Sequence, residues 1–243
     1  MIHEGEAVCV NELGKSFGRI EALNSFNVHI HPKFVFALIG PNGSGKTTLI
    51  RILCSILKPD KGVASIFGQR LPAKGLAGLI GYMPQELALY PDLTVHQNIA
   101  FFGSIYGLKR DELDAKEKVL LKLVGLEDLR NHLVSQLSGG MKRRASLACA
   151  LVHEPKLVFL DEPTVGVDPE LRVAFWEHFK QLRDSGVTIL ITTHYMDEAR
   201  RCDVVGMMRG GRLIAQSEPK KLLSLTGETS LEDVYLKLSR ERD

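Results

Sequence analysis

The chain has 243 residues, 44% of them hydrophobic and 25% charged. Those are ordinary globular values; they exclude a disordered tail, a collagen-like fibre and a multi-span membrane protein, and a chain this long can bury enough surface to fold without disulfide or zinc staples. Thirty-one Lys and Arg against 29 Asp and Glu leave a net charge of +2, too weak an excess for a nucleic-acid coat, which needs clustered cations, so no nucleic-acid partner is expected.

The four cysteines, Cys9, Cys54, Cys149 and Cys202, are far apart and form no CxxC pair, so they read as reduced thiols among apolar neighbours. Residues 1–6 carry acid rather than base and do not read as a secretory signal. No run approaches the ~18 apolar residues of a membrane span. Any work at a membrane would need a membrane part supplied by another chain or segment.

Along the chain, Ala7–Val10 and the alternating Phe26, Val28 and Ile30 predict antiparallel strands. Phe34 to Ile39 predicts a strand buried on both faces. A glycine-rich loop follows, then a helix from Thr47 to Ile56, a turn at Lys58–Gly62, and short strands at Val63–Phe67 and Leu79–Met83. From about Leu93 to Leu151 the pattern is helical. Thr94 and Gln97 form a Thr-x-x-Gln capping box, Asp111 to Val124 is an amphipathic helix, and Gly139 to Val152 is a third. Strands return at Leu157–Leu160 and Val187–Ile191, separated by a helix from Pro169 to Arg183. A hairpin at Val204–Met208 and Leu213–Ala215 and a last helix after Ser230 complete the pattern. Buried strands alternating with helices predict a mostly parallel sheet. The expected fold is α/β, with an N-terminal antiparallel β part and a helical insert of roughly 50 to 60 residues. We expect one domain, with residues 1–92 and 153–217 as core, 93–152 as helical part and 218–243 as C-terminal helices.

Gly40-Pro41-Asn42-Gly43-Ser44-Gly45-Lys46-Thr47 fits G-x-x-x-x-G-K-[ST] between a buried strand and a helix. Its glycines let backbone N–H groups curl around phosphates, and the helix N-terminus adds partial positive charge. Lys46 supplies a point charge between phosphates, and the Thr47 hydroxyl suits Mg2+. Pro41 through Thr48 are thus the candidate phosphate cradle, a loop shared by GTPases, kinases and motor proteins that does not by itself name the reaction. Leu157–Leu160 ends in Asp161 and Glu162. Asp161 would reach the metal from beside the loop, and Glu162 is placed to polarise an attacking water. No guanine-specific N/T-K-x-D motif is visible. Leu137-Ser138-Gly139-Gly140-Met141 opens a helix with Ser138 as N-cap and bare backbone behind it, which makes a second phosphate-facing helix end.

With those motifs in place, nearly the whole chain resembles the nucleotide-binding domain of ATP-binding cassette (ABC) proteins, of the P-loop NTPase fold. Leu-Ser-Gly-Gly resembles that family's signature motif. The resemblance implies head-to-tail pairing with a second ABC ATPase domain, each ATP lying between one phosphate loop and the partner's signature helix. Ser138, Gly140 and Asp168 would then lie at the interface. It also implies that Gln85 is a Q-loop glutamine reaching Mg2+, that Gly166-Val167-Asp168 is the D-loop, that His194 is the switch histidine contacting the γ-phosphate, and that Phe17 stacks on adenine. Three departures stand out: Met141 where Gln is usual, Lys33-Phe34 where Gly-Glu is frequent, and Val167 for a common Leu. None removes a catalytic group, so Lys46, Glu162 and His194 imply an active ATPase.

The single motif set and the chain length point away from translation factors and chromosome-maintenance ABC proteins. Ser-Gly-Gly-Met-Lys-Arg-Arg, Thr-His-Tyr-Met-Asp-Glu-Ala and Leu231-Glu232-Asp233-Val234-Tyr235 resemble exporter ATPases for drugs, lipids or polysaccharides. These work with a transmembrane permease on the cytoplasmic face of a membrane. An importer ATPase, a soluble ABC ATPase acting on a ribosome or other protein complex without a membrane partner, and an inert ATP-binding dimerisation module are the alternatives. Lys142-Arg143-Arg144 reads as a solvated helix face or as reinforcement of the anion-attracting end. Leu87, Leu89, Tyr90 and Phe101 are candidates for an apolar docking groove.

Overall fold

The computed structural model describes residues 5–240. The expectations for residues 1–4 and 241–243 lie outside the described residues. Strands β1 (Val8–Phe17), β2 (Ile20–Ile30), β4 (Lys61–Ile66) and β5 (Gln69–Arg70) form an antiparallel sheet in the order β2-β1-β4-β5. The second sheet runs β10-β9-β3-β8-β7-β6, with β3 (Val35–Ile39), β6 (Ile80–Met83), β7 (Leu157–Asp161), β8 (Thr188–Thr193) and β9 (Val204–Arg209) parallel and β10 (Arg212–Ser217) antiparallel to β9.

The apolar strands are unbroken because both faces of this sheet are covered. Val35, Ala37 and Ile39 of β3 join one buried cluster, whereas Phe36 and Leu38 join another. The first cluster takes in α3 (Arg110–Val124), α4 (Gly139–Leu151) and α5 (Pro169–Asp184); the second takes in α1 (Lys46–Leu53) and the antiparallel sheet. Helices α2 (Val95–Ile105), α3 and α4 occupy the connection between β6 and β7, which are neighbours in the sheet.

The capping box forms as expected. Gln97 N–H donates to Thr94 Oγ1 at 3.1 Å, and Thr94 N–H donates to Gln97 Oε1 at 2.8 Å. Thr94→Ala is expected to cost about 1 kcal/mol of stability, read from a urea titration of folding.

Some details depart from the expectation. The central strand starts at Val35 rather than Phe34 because Lys33 turns the chain in a left-handed conformation (φ 63°), with its N–H held by Thr188 Oγ1. The two residues of β5 were too short to read. The C-terminal segment holds α7 (Pro219–Thr226) and α8 (Leu231–Arg240). All four cysteines are free, but Cys54 is half-buried rather than enclosed like the other three. Burial raises the Cys54 and Cys149 thiol pKa values, which keeps both groups protonated. No helix among the described residues is long and apolar enough to cross a membrane.

Candidate functional site

Four chain segments meet at the C-terminal edge of the parallel strands side by side: the glycine loop after β3, Gln85 after β6, Asp161 at the end of β7 with Glu162 following it, and His194 after β8. Ligands of open α/β sheets bind at such an edge.

The glycine loop is built as an anion cradle. Gly43 and Gly45 have φ of 78° and 105°, and a Cβ on Gly45 would strike the Ala22 carbonyl. Gly45 caps α1 with no side-chain hydrogen bond, and the first turn of α1 carries no acid, so its N–H groups stay available. Ser44 Oγ is buried without a partner. Lys46, 6% exposed, folds back to donate to the Gly40 and Pro41 carbonyls at 2.7 and 3.1 Å. Burial lowers its pKa, while the Glu162 and Asp161 carboxylates pull the other way. An orphaned hydroxyl, bare helix N–H groups and a cation parked on carbonyls together fit a polyphosphate.

Asp161 is buried. Its Oδ2 accepts from Thr47 Oγ1 at 2.8 Å, and its Oδ1 accepts from Thr192 Oγ1. The Thr47 hydroxyl and this carboxylate form an oxygen pair of the kind Mg2+ takes. Glu162 N–H donates to Thr192 Oγ1 at 3.0 Å, so one hydroxyl sets both acids. Sequence reasoning did not single out Thr192, because its contact with Asp161 depends on the register of β7 against β8.

Glu162 leaves β7 with φ 54°, which turns its side chain off the strand line. Gln85 Nε2 lies 3.4 Å from its Oε2 and His194 Nδ1 lies 3.4 Å from its Oε1. The structure thus brings Gln85 to Glu162, the residue next to the expected metal ligand Asp161. Arg143 Nη1 donates to the Glu162 carbonyl at 2.6 Å, and Arg144 Nη1 donates to the Val124 and Gly125 carbonyls. These two arginines therefore correct the reading of a solvated or anion-drawing run. They close backbone ends within the chain.

Phe17, 50% exposed, sits at the tip of the β1–β2 hairpin with Lys15 Nζ 5.6 Å from its ring centre. The same hairpin brings the Ala22 carbonyl against Gly45 of the loop. Ser138 accepts from Met141 N–H at 3.3 Å as the N-cap of α4. Gly140 packs so closely on the Gly166 carbonyl that a Cβ would not fit. Asp168 caps α5, its Oδ1 accepting from Leu171 N–H at 2.9 Å. Among the described residues, no hydrogen bond joins Ser138, Gly139 or Asp168 to the cluster of Lys46, Thr47, Asp161, Glu162 and His194.

Residues 23–165, which span the loop, both acids and the capped helix, match the family described as ABC transporter. The chain belongs to the ABC transporter family. It carries the ATPase machinery of that family.

The chain is 41% identical to ABC transporter G family member 23 of Dictyostelium discoideum, over 95% of this chain and 33% of that protein. It is 38% identical to the probable multidrug ABC transporter ATP-binding protein YbhF of Escherichia coli, over 98% of this chain and 43% of that protein. It thus spans a third to less than half of the length of these relatives. The Nod factor export ATP-binding protein I of Paraburkholderia xenovorans is 39% identical, with 90% of this chain and 73% of that one aligned. Among solved structures, an ATP binding subunit of an ABC transporter superposes with a TM-score of 0.89 at 28% identity, over 96% of this chain and 99% of that one. The dimeric ATP-binding cassette MJ0796, in a post-hydrolysis state bound to ADP and Pi, superposes with a TM-score of 0.81 at 26% identity, over 87% and 98%. Relatives of this ABC family therefore include export ATP-binding proteins and a dimer that holds the products of hydrolysis.

Proposed function

We propose that this chain is the ATP-hydrolysing part of an exporter, working as a head-to-tail pair beneath a transmembrane permease on the cytoplasmic face of a membrane. The observation that supports the reading is that the cradle and both acids bond to one another within one chain, whereas Ser138 and Gly139 at the start of α4 are exposed and, among the described residues, make no hydrogen bond to that cluster. A second copy turned head to tail would place its serine-capped helix end on the γ-phosphate, giving two composite sites.

Pro41, Asn42, Gly43, Ser44, Gly45, Lys46, Thr47 and Thr48 would wrap the phosphates, and Phe17 would offer its face to adenine. Thr47 and Asp161 would hold Mg2+ with Gln85 nearby, and the metal neutralises phosphate charge when bound. Glu162 takes a proton from the attacking water, and His194 orients it and the γ-phosphate. Gln85 begins the stretch that leads from Glu162 into the helical part, which we treat as a separate unit spanning residues 93–152. Buried Asn98 ties that stretch down, accepting from Tyr90 N–H and donating to the Tyr90 carbonyl at 2.8 and 3.0 Å. Of the expected groove residues, Leu87 and Leu89 are half-buried, Leu89 packing on the core, whereas Tyr90 and Phe101 are exposed and, with Ile105, offer an apolar face suited to a permease loop.

Complementation tests the pairing. Lys46→Ala breaks the cradle. Ser138→Asp keeps a good N-cap but sets a negative charge where the phosphate would lie. Each variant alone should lose most turnover. A dimer of the two retains one intact composite site, so mixing them should restore activity well above the sum of the separate samples. A mixture that stays at that sum removes the composite site.

A further inference from the structure

Beside the site, Arg172 of α5 and Glu198 of the short helix α6 (Met196–Ala199) face each other across the gap between two loops of the site. Arg172 lies one turn into the helix capped by Asp168, and its Nη2 donates to the Val167 carbonyl at 3.3 Å. Glu198, 3% exposed, accepts from Thr193 Oγ1 at 2.8 Å through Oε2, and Thr193 Oγ1 in turn accepts from Tyr195 N–H at 3.0 Å. The backbone of His194 is thus held on both sides by a hydroxyl that Glu198 fixes. The Arg172 guanidinium also lies 5.5 Å from the Tyr195 ring centre, and that ring leans on His194 with centres 4.1 Å apart.

The remaining atoms of the pair are the informative ones. Arg172 Nε and Glu198 Oε1 are both buried and lack a hydrogen bond, and they face each other at 3.8 Å. The Glu198 side chain is buried while that of Arg172 is 35% exposed, so at 3.8 Å the two make a loose ion pair, and a small shift that adds a hydrogen bond would satisfy both buried atoms. A movement of under about 1 Å would bring them to hydrogen-bond distance.

We propose that Arg172 and Glu198 are positioning residues forming a strut between the Gly166–Asp168 segment and His194. The strut closes when a second copy presses on that segment, and His194 is thereby seated for hydrolysis. This rests on the roles proposed above for His194 and for the dimer. Neither strut residue touches the phosphate cradle, so the strut acts on the chemical step rather than on ATP binding.

Single-turnover hydrolysis and steady-state kinetics on the full chain test it. Glu198→Gln is nearly isosteric and should lower kcat about tenfold with KM for ATP within about twofold, because sub-ångström misplacement of a reacting group is costly. Thr193→Val, which removes one hydroxyl contact, should behave alike. In a His194→Ala background, Glu198→Gln should change the residual single-turnover rate by less than about twofold, since residues acting through one another are non-additive. A full tenfold loss in that background, or an unchanged kcat in the single variant, overturns the strut. If His194→Ala itself leaves kcat unchanged, the role assigned to His194 fails first, and the strut with it. A purely structural role would instead lower the thermal midpoint and reduce activity equally in both backgrounds.

Discussion

Replacing Glu162 by Gln is expected to lower the turnover of ATP by about 10²- to 10⁴-fold, the usual contribution of a positioned general base. The substitution keeps the shape of the side chain, so its contacts to Gln85 and His194, both at 3.4 Å, can persist in altered form. Binding should change little, because Lys46, Thr47 and the glycine loop are untouched. ATP would then stay uncleaved between the two copies, and the dimer should outlast that of the unaltered chain when followed by light scattering after size exclusion. Unchanged turnover would refute the assignment of Glu162. Turnover lost together with ATP binding would make the residue a scaffold rather than a base.

The second large effect is expected from Lys46→Ala. A hydrogen bond to a charged group contributes about 1.5–3 kcal/mol, so an ammonium bridging two phosphates could supply about 3–6 kcal/mol. In the free protein the same ammonium already donates to the Gly40 and Pro41 carbonyls, and that part is exchanged rather than gained. A net rise in Kd for ATP of about a hundredfold follows, measurable by calorimetry. The pH dependence has a definite sign. Burial lowers the Lys46 pKa in the free protein, and bound phosphate would raise it again. Binding then takes up protons, so affinity should fall as pH rises through the free-protein pKa, and Lys46→Ala should abolish that slope.

Much of this arrangement was legible before the structure. Thr94 and Gln97 announce a helix start because a capping box is a local interaction, complete within four residues. The buried strands that end in Gly40, Asp161 and His194 are readable for a similar reason: an unbroken apolar run followed by polar residues can sit only at the edge of a covered sheet. What stayed hidden depends on long-range register. Thr192 reaches Asp161 only because β7 and β8 pair with Asp161 opposite Thr192. Arg143 closes on the Glu162 carbonyl because α4 lies across the end of β7, and no local pattern separates such an arginine from a solvated one. Gln85 shows the same limit: its place after β6 is readable, and its contact with the carboxylate of Glu162 is not.

The strand order carries a consequence for how the molecule is made. The neighbours of β3 in its sheet are β8 and β9, so Val35 meets Ile189 and Phe36 meets Val204. During synthesis, the phosphate loop and the apolar strand before it emerge from the ribosome some 150 residues ahead of the partners that cover them. Closing so long a loop is slow compared with local helix formation. The nascent chain therefore carries an uncovered, aggregation-prone ribbon until β8 and β9 are made, which makes the synthesis of residues 188–209 the step at which a chaperone would let go.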